Sequence, residues 1–305
     1  MNQLTRLPVI GPIVARVAHT RAYKVYEHFD DVGSNRMAGS VTFFGFLALF
    51  PLLTVALAVA ASVLSDSRVN TLQQKIAEQI PGLSRQLNLH EVAANAATVG
   101  LVSGVILLVS GLGWVDTTRV CIRSSWYLPL EPGNVVVRKF WDTVMLVGLG
   151  VVGAVSLAAS TAAGALTGRV AQWLGLEGST AGRVALAVLA FVLAVVVDLM
   201  VFSYLLVGLP RIFGQPRRVV LEAALLGAIG FEILKQALAA YIAGVATKSV
   251  YGAFGTPIAL LLWINFMCRW LLYCVAWTAT ADPEAARLRA RARAVEAVAK
   301  ADEDL

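Results

Sequence analysis

Asp198, Glu232, Lys235 and Arg269 stand inside apolar runs, where a charged group is expensive. Asp198 falls in VVVDLMVF, Glu232 and Lys235 in GFEILKQAL, and Arg269 in NFMCRWLL, with Asn265 one turn earlier on the same face. Glu232 and Lys235 are three residues apart, the spacing at which two side chains share a helical face and can pair. Each charge at the centre of a membrane helix costs roughly 2.5–3.5 kcal/mol, so four unpaired ones would cost roughly 10–14 kcal/mol. That is comparable to the stability of a whole domain. The four must meet one another across neighbouring helices or line a wet cavity. Two acids and two bases sum to zero charge. Such a cluster can serve a polar group crossing the membrane, or it can pin helices together and do nothing more, and the sequence leaves both readings open.

The elements that position these charges follow from composition. The 305 residues are 58% hydrophobic and 14% charged, against about 25% charged in a soluble domain. The expected fold is all-α, a polytopic membrane protein with six transmembrane helices plus short amphipathic or extramembrane helices. The spans are expected at 37–64, 97–115, 137–164, 183–209, 217–245 and 253–280, the second continuing as helix to Ser125. Residues 1–36 form a cytoplasmic segment, 37–280 the membrane domain, and 281–305 a charged cytoplasmic tail. With no cleavable signal peptide visible, the first span is expected to direct its own insertion.

Basic residues set the orientation. Five fall in the N-terminal segment (Arg6, Arg16, Arg21, Lys24, Arg36) and four in the second loop (Arg119, Arg123, Arg138, Lys139). Three follow in the fourth loop (Arg211, Arg217, Arg218) and five in the tail (Arg287, Arg289, Arg291, Arg293, Lys300), 17 on one side. The other side has 6: Arg68, Lys75, Arg85, Arg169, Arg183 and Lys248. The bias places both termini in the cytoplasm. The net charge of +6 points to anionic lipid at that face rather than to nucleic acid. Membrane lipids are the expected partners, and a homo-oligomer is left open.

Smaller features have local readings. Residues 13–30 are expected as an amphipathic helix along the cytoplasmic face, with Tyr23, Tyr26 and Phe29. Residues 65–96 read as a helical cap on the outer face, broken at Pro81-Gly82. Gly100 and Gly104, like Gly164 and Gly168, have the spacing of close helix contacts, and Gly148, Gly150 and Gly153 add to it. Pro51 is expected to kink or loosen the first span, as a structural bend or a hinge. Gly252 and Gly255 are expected in a tight turn at the outer interface, with Pro257 in the first helical turn after it. Glu222, one turn after Arg218, is expected to pair with it.

Enzymatic chemistry is not expected. No GxxxxGK[ST] loop, HExxH or GxSxG motif occurs, and His19, His28 and His90 are scattered over two sides of the membrane. No metal or cofactor is expected. Cys121, Cys268 and Cys274 form no CxxC pair and read as buried thiols.

Three strings carry a resemblance: Val250-Tyr-Gly-Ala-Phe-Gly-Thr-Pro-Ile-Ala-Leu-Leu-Leu-Trp263, Phe50-Pro51-Leu-Leu53, and Phe202-Ser-Tyr-Leu-Leu-Val-Gly-Leu-Pro210. Over residues 20–280 the chain resembles the YihY/virulence factor BrkB family of bacterial inner-membrane proteins. The resemblance implies six transmembrane helices. It also implies a part in envelope integrity, with export of lipid or lipid A precursors suspected for some relatives. The family once carried a ribonuclease label. Metal-dependent RNA cleavage needs clustered ligands, and this chain supplies none, so that activity is not expected. Many relatives end the last span with Gly-Ala-Glu, where this chain has Cys274-Val-Ala276. The functional expectation is a transporter or flippase for a lipid-like molecule; the alternative is a non-transporting scaffold for envelope assembly, with intramembrane ion pairs as pins.

Overall fold

The computed structural model describes residues 20–63, 96–130, 134–152, 180–245 and 252–281, with 287, 288 and 291 in the tail. Helix α1 is Arg21–Asp31, α2 Ser34–Val63 and α3 Ala96–Ser125. Helix α4 is described over 135–152. Helix α5, Thr180–Ser203, runs on into a π-helical turn, Tyr204–Gly208; α6 is Arg217–Val245 and α7 Gly252–Ala281. Among the described residues there is no strand. The expected outer cap, Gly164 and Gly168, and most of the tail lie outside the described residues.

Four helical stretches are long and apolar enough to cross a membrane: Ser34–Val55, Thr98–Ser125, Phe191–Gly208 and Pro257–Ala281. They fall on the first, second, fourth and sixth expected spans. The third expected span is described only to residue 152. Helix α6 has the expected bounds, and it carries Glu222, Glu232 and Lys235. Length and composition of the described helices thus support four crossings.

The bundle is assembled in an order unlike the chain. Helix α3 packs along α2, α2 along α7, α7 along α6, and α6 along α5, while α1 lies across the end of α7. Apolar faces point outward: Leu101 and Val109 are 71% exposed and Val136 75%. Soluble proteins do not leave such continuous apolar surface to water; lipid covers it. Inside, one core joins Val115, Ile122, Phe202, Leu206, Leu209 and Val275. The other joins Val25, Phe29, Val41, Ile264 and Leu272.

Helix α1 begins at Thr20, whose side chain accepts from Tyr23 N at 3.3 Å. It ends before Gly33, whose φ of +67° makes the turn into α2 that an L side chain resists. Of the aromatic residues expected on this helix, Phe29 packs inside the protein while Tyr26 is 55% exposed. Phe29 is 1% exposed and stacks on Tyr273 with ring centroids 3.8 Å apart. The helix is amphipathic because it docks on the protein.

Close approach uses some of the expected glycines, Gly100 and Gly148, but not Gly104 or Gly150, and adds others. A Cβ on Gly100 would touch Ala58 and one on Gly113 would press on Phe44, whereas Gly104 and Gly150 face open space. Gly148 is tight: a Cβ there would sit 2.5 Å from the Tyr204 hydroxyl, which donates to Met145 O at 2.9 Å. On α6, Gly227 lies against the ring of Phe202 and Gly230 against the indole of Trp270. Phe202 is 2% exposed and has no room to retreat. Gly227→Ala is expected to lose about 1–3 kcal/mol by overpacking, while Gly150→Ala should melt like the parent. Thermal unfolding in detergent compares the two, and equal midpoints would refute the close α5–α6 approach.

Helix α2 is continuous through Pro51. Gly252 and Gly255 are inside α7, not in a turn before it, so Pro257 falls in the helix's second turn. The helix starts early enough that the glycines are its first turn, where unpaired N–H groups are normal.

Candidate functional site

The described helices place charges at two depths. The deeper group joins α5 to α6. Lys235 Nζ lies 2.9 Å from Asp198 Oδ2 and 2.6 Å from Glu232 Oε2. The Asp198 and Glu232 side chains are 7% and 14% exposed, and Lys235 is 36% exposed. The ammonium also lies 4.7 Å from the Phe231 ring centroid. Phe231 in turn meets Phe202 and Trp263, and Trp263 Nε1 donates to Leu234 O at 3.0 Å. Glu232 is ten residues beyond Glu222, about 15 Å along α6 at 1.5 Å per residue.

Two residues expected in this group stand apart. Asn265 donates to Thr42 Oγ1 at 3.1 Å, joining α7 to α2. Arg269 is exposed on α7, and no hydrogen bond or ion pair joins it to Asp198, Glu232 or Lys235. The cluster is therefore a triad of two acids and one base. The expected zero balance does not hold within it.

The shallower group gathers where α3 ends, α4 begins and α5 ends. Asp142 on α4 is 0% exposed. Its Oδ1 accepts from Arg119 Nε at 3.2 Å and from Arg211 Nη2 at 3.0 Å. Arg119, 1% exposed, also pairs with Asp116 one turn back and donates to Leu130 O at 3.0 Å. Asp116 Oδ2 is 3.4 Å from Lys139 Nζ. Arg123 donates to Pro129 O at 2.7 Å and Pro210 O at 2.9 Å, which ties the chain after α3 to the chain after the π turn. Arg211 has φ +57° and Tyr127 φ +54°, left-handed conformations that cost about 1–2 kcal/mol each. Burial lowers the pKa of Arg211 while the Asp142 carboxylate pulls it back up.

Counting these arginines as loop charges missed their burial. The signal lay in the acids: Asp116 precedes Arg119 by three residues, and Asp142 follows Arg138 by four, inside an expected span.

The same rim holds α1. Arg21 Nη1 bonds Glu222 Oε2 at 2.7 Å and stacks over Trp277 at 4.1 Å. His28 Nε2 lies 2.8 Å from Ser125 O. The partner of Glu222 is thus Arg21 rather than Arg218, because α1 folds back over the start of α6. Ala276 is 0% exposed in the core that Val25 and Phe29 of α1 share. The three cysteines are free and buried. Among the described residues no group of three His, Cys, Asp or Glu side chains could hold a metal ion.

Comparison with known proteins finds membrane proteins among the relatives of this chain. An uncharacterised protein of Dickeya dadantii is 32% identical over 85% of this chain and 82% of its own length. The inner membrane protein YhjD of Escherichia coli is 25% identical over 92% of this chain and 84% of its own. A UPF0761 membrane protein of Verminephrobacter eiseniae is 29% identical over 86% of this chain, which covers 61% of that longer relative. No solved structure matches the chain. The virulence factor BrkB family matches residues 25–297, and the chain belongs to that family of membrane proteins.

Proposed function

We propose that this protein moves a lipid-like or amphipathic molecule across the bacterial inner membrane, past the Asp198–Lys235–Glu232 triad. The observation that carries the reading is the 36% exposure of Lys235 on helices whose outer faces are apolar. An ammonium left open at that depth calls for a polar medium or a polar visitor. The second reading is a scaffold with the triad as a pin. It draws on the same geometry, since Lys235 touches both carboxylates.

The topology that goes with this reading has six spans, with α4 and α6 added to the four apolar helices, and both termini in the cytoplasm. The contacts of α1 with α3, α6 and α7 support it, for they gather the helix ends that this topology assigns to one side. Cysteines placed in 65–96 should react with an impermeant label from outside the cell, and cysteines in 284–300 should not. The reverse pattern would overturn every side assigned here.

Transport is tested in proteoliposomes holding the full chain and lipids with a fluorescent headgroup label. Lipid leaving the protected leaflet faster than in protein-free vesicles, with the gain abolished by Lys235→Met, is the expected result. Rates equal to those of empty vesicles for phosphatidylethanolamine, phosphatidylglycerol and phosphatidic acid would leave the scaffold as the better reading.

A further inference from the structure

The shallow cluster has more positive charge than its carboxylates answer. Even with Arg138 set aside, the cations Arg119, Arg123, Lys139 and Arg211 face only Asp116 and Asp142 among the described residues. Arg123 is 8% exposed and bonds only carbonyls. Two buried donors, Arg211 Nε and Trp126 Nε1, have no hydrogen-bond partner. Buried donors are nearly always satisfied, and an uncompensated buried cation attracts an anion.

The outward side of the cluster has lipid-interface chemistry. Lys139 is 46% exposed beside Asp116. Arg211 lies 5.9 Å from the ring of Trp141, itself 44% exposed. Phe140 and Phe213 are 62% and 75% exposed in the same two segments. Aromatic rings and basic side chains at one level mark the headgroup zone. The planar guanidinium fork of Arg211, held by the buried Asp142 carboxylate, matches the geometry of a phosphate.

We infer that Lys139 and Arg211, backed by the buried Arg119–Asp142 pair, bind the phosphate of an anionic phospholipid at the rim between α4 and the π turn. This site is about 15–20 Å along the helices from the triad. It stands whether or not the protein transports anything, because retention of a lipid requires no movement.

The test uses the purified full chain in a nonionic detergent, with native mass spectrometry to count retained lipid and thermal unfolding as a second readout. Phosphatidylglycerol should stay bound where phosphatidylcholine does not, and should raise the melting midpoint. Lys139→Glu, at a surface position with little folding risk, should weaken retention about tenfold. Arg211→Gln, if it folds, should lose the bound lipid. Equal retention of the two lipids would overturn the site, as would retention unchanged in Lys139→Glu. A stabilising shift from inorganic phosphate with no lipid retained would also overturn it, since the anion would then be free phosphate.

Discussion

Asp142→Ala is expected to be among the most damaging single substitutions in this protein, costing about 3–5 kcal/mol. The carboxylate is 0% exposed and holds Arg119 and Arg211 together. Removing it leaves two guanidinium groups facing each other, one of them 1% exposed. The backbone suffers too, because the left-handed conformation at Arg211 persists only while its surroundings hold it. Asp142→Asn keeps an acceptor oxygen but no charge and should fall between Ala and the parent. Asp116 provides the internal comparison. Its side chain is 35% exposed, and partly exposed ion pairs contribute at most about 1 kcal/mol. Thermal unfolding in detergent should therefore rank Asp142→Ala well below Asp116→Ala. Similar midpoints for the two would mean that the Arg119–Asp142–Arg211 link does not hold α3, α4 and the π turn together.

The membrane-crossing runs were legible because lipid imposes one rule, a long apolar helix, that composition alone reveals. Helix α6 begins and ends at the expected residues, 217 and 245. The pairing of Glu232 with Lys235 was legible from spacing, and their meeting with Asp198 from depth. Arg269 was not, because α7 is apolar nearly all the way round. Nothing in its sequence says which face turns to α6, and α7 buries two faces, Leu271, Cys274 and Val275 in the core that α6 shares and Cys268, Leu272 and Ala276 in the other. The basic rim was misread for a different reason. Arg119 and Arg123 become buried because the chain just after α3 folds back and the distant segment after the π turn meets it, so that Leu130, Pro129 and Pro210 offer carbonyl oxygens. Positive residues at span ends look alike in sequence whether they face water or carbonyls.

Lys235→Met is expected to cost up to about 3–5 kcal/mol, the range for removing one partner of a buried pair. The upper end is a ceiling, since Lys235 is 36% exposed. The reason is the geometry of the triad: one ammonium serves both Asp198 and Glu232. Without it, two carboxylates share a low-dielectric site, and proton uptake by one of them offsets part of the loss. Removing either acid alone is a different matter. Asp198→Asn leaves Lys235 with Glu232 at 2.6 Å, and Glu232→Gln leaves it with Asp198 at 2.9 Å, so each should be mild. The spacing of Glu232 and Lys235 by itself suggests that deleting both would restore stability. The structure changes that expectation, because Asp198 would remain, 7% exposed and without its cation. Recovery should require the triple variant, Asp198→Asn with Glu232→Gln and Lys235→Met. Melting midpoints of the singles, the Glu232→Gln/Lys235→Met double and the triple give the order directly. Strictly additive losses would show that the three do not act together. A triple variant that melts like the parent and still repairs an envelope defect in cells lacking the protein would make the triad a pin. One that melts like the parent and fails to repair it would place the triad on the path of whatever the protein moves, and that is the outcome expected from the exposure of Lys235.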